Sequence, residues 1–448
     1  MSQHGINKSR LSNIYYIAFL LYGLEKMSHI KLMKLTPDTN KSFYKWEVVI
    51  LLWIAFFLNQ GDRQAFNIVL PQIQTLFGAS DSTMGLIAAL FNVFYAIVVP
   101  FAGFYADRLS RSKMIIVSTL IFSTATLFTG FSGGIVSFII FRCVGMGVGQ
   151  GIFGPTYMGL IAQYHDSTTR GRAMSLHQTS SYIGVVVCSV LAGYIADRLG
   201  WQYACYIFGG LGVLFTGWMA IRLKDKQTAA PVQNPERPSF KDGLSTFFKV
   251  PTAICILTAF TCVIFTITGY LTWTPKYIKE TFDLNMASAG FHSMFWTNLT
   301  AFAGVMIGGI IADKIVIKGK SGANRLWLQV TGILLGAPCV ALMGLSHNLI
   351  IVCVALAGFG LFRGLFECAT YPVLYDVIPS KYYSLSSAIM ILFGFSIGAL
   401  APWILGIIGD TMGLSKGFII LAAVWATGSI ALILARLKFY DKDSESVN

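Results

Sequence analysis

Runs of about 20 apolar residues, separated by short charged clusters, recur along the whole chain, and that alternation limits it to one kind of fold. Hydrocarbon offers no water to backbone N–H and C=O groups, so such a run crosses a bilayer as a helix that bonds its own backbone. Apolar residues fill 55% of the 448 positions and charged residues 12%, too few polar side chains to clothe a water-soluble surface. We read an all-α integral membrane protein.

Gly, Pro and charge clusters punctuate twelve helices, over 46–70, 84–106, 113–132, 135–163, 171–196, 201–222, 251–274, 288–312, 325–345, 348–378, 382–408 and 415–436. The longest polar segment, Arg222 to Lys249, separates six helices from the next six. This predicts an N-terminal tail 1–44, a six-helix half 45–222, a linker 223–249, a second half 250–437 and a C-terminal tail 438–448. Within the first tail, Ile14 to Leu24 is too short to span and has no cleavage site after it. Met33 opens a segment that reads as an alternative translation start.

The net charge of +13 fits this topology without nucleic acid. Of 33 Lys and Arg, 26 fall on one side of the predicted membrane and only Arg198, Lys276, Lys279 and Lys416 on the other. Basic residues concentrate in cytoplasmic loops, so both termini and the linker are expected in the cytoplasm, with the helices in the plasma (inner) membrane. All eight Cys lie in apolar segments without CxxC spacing, and no His spacing suits a metal, so disulfides, metals and cofactors are not expected. Neither an ATP-binding motif nor a nucleophile–base pair is present, which argues against an ATP-driven pump and an enzyme.

The remaining three basic residues, Arg63, Arg142 and Arg363, lie inside apolar helices. Each costs about 2.5–3.5 kcal/mol to insert even on a lenient scale, so a chain that keeps three of them has a use for them. Arg63 offers a bidentate fork for a carboxylate, or else an ion pair between helices. Its neighbour Asp62 points about 100° away around the helix and suits a different helix. Arg363 and Glu367 stand four apart on one helical face. Burial favours a protonated acid and an adjacent Arg a carboxylate, so Glu367 is the leading proton acceptor; the alternative is a permanently closed bridge. Arg142 and Gln150 are eight apart, roughly one face of the fourth helix, with Arg142 either a second charge in the pathway or a partner for Asp62. Tyr270 and Trp273, like Tyr182, Gln178 and Asn298, are candidates to hydrogen-bond or stack on a substrate. The run Gly145-Met-Gly147-Val-Gly149-Gln-Gly151 lacks the strand and Lys of a phosphate loop and reads as a close-packing helix face.

The two halves repeat one another. Gly103-Phe-Tyr-Ala-Asp107-Arg108 after the second helix matches Gly309-Ile-Ile-Ala-Asp313-Lys314 after the eighth, and Gln150 aligns with Glu367. Gly103, Asp107, Arg108 and Arg111, with Lys113 nearby, resemble the loop signature of the major facilitator superfamily, departing from it at Ser110 and Ser112. Asp62-Arg63, Arg170-Gly171-Arg172-Ala173, Gly200-Trp201 and Trp273-Thr274-Pro275 resemble its anion:cation symporters, and Tyr375-Asp376-Val377-Ile378-Pro379 resembles spinster-like transporters. Gln150 stands where both relatives place an acid.

The resemblance implies a monomeric two-lobed transporter that works by alternating access. It implies Arg63 in contact with an anionic substrate and a gate built from Gly103, Asp107, Arg108, Arg111, Asp313 and Lys314. The expected function is proton-coupled uptake of a small organic anion such as a sugar acid. Substrate would meet Arg63, Arg142, Arg363, Gln150, Tyr270 and Trp273, and Glu367 and Asp62 would carry the coupling. A second reading is export of amphipathic drugs or lipids by proton antiport, with the arginines as locks between helices.

Overall fold

A computed structural model describes residues 43–106, 109–165, 169–225, 240–317, 323–379 and 382–445. The segment around Met33 lies outside these residues. Helix α1 (Tyr44–Phe77) runs through Pro71 and stops at Gly78, whose left-handed backbone lets its N–H reach back to Gln74 and Thr75. It is followed by α2 (Asp81–Ala106), α3 (Arg111–Thr129), α4 (Ile135–Tyr164), α5 (Arg170–Leu199) and α6 (Trp201–Arg222). The end of the segment expected to be linker forms a short helix, α7 (Phe240–Lys249). Then come α8 (Pro251–Phe282), α9 (Met286–Ile317), α10 (Asn324–Leu345) and α11 (Leu349–Asp376). The eleventh sequence segment is broken at Gly398 into α12 (Tyr383–Gly398) and α13 (Ala401–Met412), before α14 (Leu414–Leu434).

Eleven spans among the described residues are long and apolar enough to cross a membrane. The 34-residue α1 is long enough as well, but its middle, Asn59-Gln-Gly-Asp-Arg-Gln64, is polar. Helices α1 and α8 overrun their predicted ends because Pro71 and Pro275 do not stop them. In a membrane bundle, neighbouring helices tolerate the missing N–H.

Helices pack within each half and also across the seam, where α2 lies on α13 and α5 on α9. Helix α4 is wedged between α2 and α3 by the glycine face expected from sequence: a Cβ at Gly147 would stand 2.9 Å from Phe94 Cβ, and one at Gly149 2.7 Å from the Phe122 nitrogen. In the second half α11 lies between α9 and α10, and α14 between α8 and α10.

The halves meet at the end of the bundle where α1 finishes. Among the described residues, every hydrogen bond and ion pair joining one half to the other lies at this far end. Asp410, in the last turn of α13, accepts from the Asp81 and Ser82 N–H groups at the start of α2, both at 2.8 Å. Asp197, in the last turn of α5, does the same for Met286 and Ala287 at the start of α9, at 3.2 and 3.1 Å. Each carboxylate thus caps a helix of the opposite half, where orphan N–H groups and the helix dipole favour an anion. A glycine one turn earlier permits the approach, since a Cβ at Gly193 would stand 2.6 Å from the Met286 backbone and one at Gly406 would collide with the Asp81 carbonyl. Lys276 of α8 adds a buried ion pair with Asp81 and donates to Gln74 Oε1 at 2.7 Å.

Asp197→Ala and Asp410→Ala should each remove about 1 kcal/mol of capping, and the double variant about the sum, because the caps share no partner. Thermal melts of the purified protein check this; two unchanged curves would sink the capping role.

Candidate functional site

The polar middle of α1 faces a cavity of about 310 Å³ between the two halves. Gln60, Arg63, Gln64 and Asn67 of α1 share a face at helical spacing and line it together with Phe91 and Asn92 of α2 and Arg142 of α4. Ser181 and Tyr182 of α5 belong to the same wall; Thr268 and Thr272 of α8, Asn298 of α9, and Arg363 and Glu367 of α11 come from the other half. All three intramembrane arginines therefore reach one space.

Arg63 has no hydrogen bond or ion pair from its guanidinium among the described residues. Its charge lies against aromatic faces, 5.1 Å from the ring centres of both Phe91 and Tyr95. Arg142 is 4.6 Å from the same Phe91 ring and 4.7 Å from Phe66. Its Nη2 donates to the Arg63 carbonyl at 3.4 Å and its Nη1 to Met146 Sδ at 3.0 Å, while Nε has no partner. Two cations thus flank one phenyl ring with no carboxylate bonded to either. Cation–π contacts return about 0.5–2 kcal/mol apiece, short of what a buried charge forfeits in hydration, so the pair attracts an anion.

Arg142 sits in a π turn, Ile140–Gly145, within α4. Gln150, eight residues and about 80° of helix further on, faces α1 and donates to the Asn59 carbonyl at 3.2 Å rather than lining the cavity. Asp62 also lies outside the cavity. Both of its oxygens are buried without a partner, beside a small void shared with Arg142, Thr126 and Cys205, and no ion pair joins it to Arg142. Across the cavity Arg363 Nε donates to Glu367 Oε1 at 2.7 Å, the i,i+4 pair expected from sequence. Tyr270 and Trp273 are buried inside the second half. The Tyr270 hydroxyl bonds the Ser293 carbonyl and Thr297, and Trp273 Nε1 donates to the Pro402 carbonyl at 2.8 Å.

Of the expected gate, Asp107 and Arg108 lie outside the described residues, as does the side chain of Asp313. Lys314 is exposed, Gly103 packs toward Pro155, and Arg111 donates to the carbonyls of Ala106 and Gly159.

Two groups of residues escaped sequence reading. The amides Gln60, Gln64, Asn67 and Asn92 were legible as polar positions on the Arg63 face of α1 and its neighbour; Gln60 donates to Ser181 at 2.7 Å and Asn67 to Gln64 at 3.3 Å. The far-end contacts had a signal too. Gly193-Tyr-Ile-Ala-Asp197-Arg-Leu-Gly200 and Gly406-Ile-Ile-Gly-Asp410-Thr-Met-Gly413 repeat one pattern in the two halves, each closing on a glycine at positive φ, 102° and 86°.

A family model for the Major Facilitator Superfamily matches residues 52–402. The chain belongs to this superfamily. It is accordingly a multi-pass membrane transporter and not an enzyme. Among curated proteins it is similar to the D-galactonate transporter of Escherichia coli O6:H1, 23% identical over 87% of this chain and 95% of that one. It is also similar to a probable galactarate/D-glucarate transporter of Bacillus subtilis, 26% identical over 90% and 93%. The fold matches a bacterial homologue of the human lysosomal transporter Spinster in an inward-facing, unoccupied conformation, with a TM-score of 0.74 at 18% identity, covering 90% and 98% of the two chains. A D-xylose-proton symporter follows with a TM-score of 0.72 at 16% identity, covering 88% and 98%.

At the far end, Lys276→Met should leave the Asp81 carboxylate without its cation and cost about 3–5 kcal/mol. Adding Asp81→Asn should recover most of that loss, which a double-mutant cycle of melting curves measures. A second substitution that only deepens the loss would mean that the pair does not act as a unit.

Proposed function

We propose that this transporter takes up a small organic anion, such as a sugar acid, coupled to protons and working by alternating access. The observation that carries the reading is the pair Arg63 and Arg142, which share the Phe91 ring at 5.1 and 4.6 Å without a bonded carboxylate. A substrate carboxylate supplies the missing counter-charge, and a guanidinium receives it with two parallel hydrogen bonds. The amides of Gln60, Gln64, Asn67 and Asn92 and the hydroxyls of Thr268 and Thr272 offer donors and acceptors to a polyhydroxylated body. The similarity to galactonate and galactarate/D-glucarate transporters agrees with such a ligand.

Coupling falls to Glu367, which holds Arg363 at the opposite wall. An anion that draws on Arg363 loosens its hold on Glu367, and the freed carboxylate takes a proton. Asp62 is the second titratable acid, buried behind Arg142 without a hydrogen-bond partner. With both termini in the cytoplasm of an inner-membrane protein, the far-end contacts close the outer side and the loop of Gly103, Asp107, Arg108 and Arg111, paired with Asp313 and Lys314, closes the inner side in the alternate state. The functional unit is a monomer. Export of amphipathic drugs or lipids draws no support from a cavity of this size with cationic and amide walls.

Arg63→Gln should weaken binding of a sugar acid about tenfold to a hundredfold, the worth of a hydrogen bond to a charged group, as read by ligand-induced thermal stabilisation. Neutral sugars or lipophilic cations stabilising both proteins alike would move the chain to the export reading. In liposomes, Glu367→Gln should keep sugar-acid exchange but lose accumulation driven by a proton gradient; undiminished accumulation would take Glu367 out of the coupling.

A further inference from the structure

The seam between the halves carries a second cavity, of about 330 Å³, that does not belong to the substrate space. It lies between α5 and α9, one helix from each half, and is formed by Ile183, Val186 and Val187 facing Phe295, Leu299 and Phe302. The two antiparallel helices touch beyond it toward the far end, where Gly193 meets Met286 and Gly290 meets Ser189. Ile183, Val187, Leu299 and Phe302 are 39–52% exposed, so the cavity is a groove open to the outside of the bundle. Its polar members offer nothing outward. Thr179 Oγ1 is held by the Leu176 carbonyl and Trp53, and Asn298 Nδ2 by the Met294 carbonyl. Tyr182 and Asn298 also line the central cavity and form the wall between the two spaces.

We propose that this groove is a binding site for one acyl chain of a bilayer phospholipid, and that the chain holds the present conformation. Both walls lie within membrane spans, 172–199 and 286–312, so what reaches the opening is hydrocarbon. No charged residue lines the groove to receive a headgroup or an anionic substrate, which leaves the aliphatic tail as the part that fits. State selection follows from position, on the alternating-access reading above. Rocking the halves together at the end away from the Asp197 and Asp410 caps brings α5 and α9 together along the groove and expels its occupant. A ligand that binds one state shifts the population toward it.

The test uses the full-length protein in nanodiscs containing a phospholipid with a photoactivatable diazirine in mid-chain. Adducts are expected on peptides spanning 179–187 and 295–302, and Val186→Trp or Leu299→Trp, filling the groove from either wall, should reduce them at least fivefold. Leu214→Trp, on the exposed face of α6, serves as the control and should not. Adducts spread evenly over the lipid-facing helices, adducts that persist in both groove variants, or cross-links to a second copy of the chain would each overturn the site. Hydrogen exchange then reads the conformational effect at the capped amides of Asp81, Ser82, Met286 and Ala287. In wild type, stripping lipid should speed their exchange several-fold and adding phospholipid back should slow it again, whereas the Trp variants should be indifferent to lipid. Exchange that ignores lipid in wild type would overturn state selection. Neither readout involves a sugar acid, so failure of the proposed transport function leaves both interpretable.

Discussion

Two guanidinium groups held on one phenyl ring set the terms for the rest of this molecule. A charge placed inside a bilayer protein must be paired, hydrated or shared with a ligand, and the aromatic faces of Phe91, Tyr95 and Phe66 return only part of the hydration that Arg63 and Arg142 give up. The surroundings follow from that shortfall. The middle of α1 is polar enough to fall short of a membrane span by apolarity. The cavity lies where the halves separate, so that an anion and water can reach the cations, and among the described residues the only acid in direct contact with a cavity arginine belongs to Arg363 on the other side.

Bringing the halves apart around such a cavity requires that they be held together elsewhere. The device at the far end is built from backbone as much as from side chains, since each carboxylate grips the exposed N–H groups of a helix belonging to the other half. Such contacts are directional, and they pin the register of an apolar seam in which α2 packs on α13 and α5 on α9. Lys276 between Asp81 and Gln74 gives the same end a buried cation.

Much of this was legible in the residues because the physics involved is local. Span length needs only counting, and the Arg363–Glu367 pair needs only i,i+4 geometry. The arginines declared themselves by their cost. What was not legible depends on phase and on partners distant in sequence. Gln150 stands about 80° round the helix from Arg142, and only the packing of α4 beside α1 decides that it turns to the Asn59 carbonyl rather than to the cavity. Tyr270 and Trp273 carry polar atoms in an apolar helix, but whether these turn to a cavity or to a neighbouring carbonyl is decided by α9 and α13, which pack against α8 from far along the chain. The caps of Asp197 and Asp410 repeat visibly, yet their meaning appears only when the opposite half supplies the helix start.

The π turn has a consequence for how α4 can change. A regular helix tolerates substitution at any outward position, but its azimuth is fixed by its neighbours along the whole length. In α4 the turn from Ile140 to Gly145 is wider than a regular one and holds Arg142. Removing one residue there would close the turn to a regular one and change the bearing of the residues inside it, while the stretches before and after kept theirs. The bearing of Arg142 is thus written in chain length rather than in side-chain identity, so that insertion or deletion, and not point substitution, is the kind of change that would swing this cation into or out of the cavity.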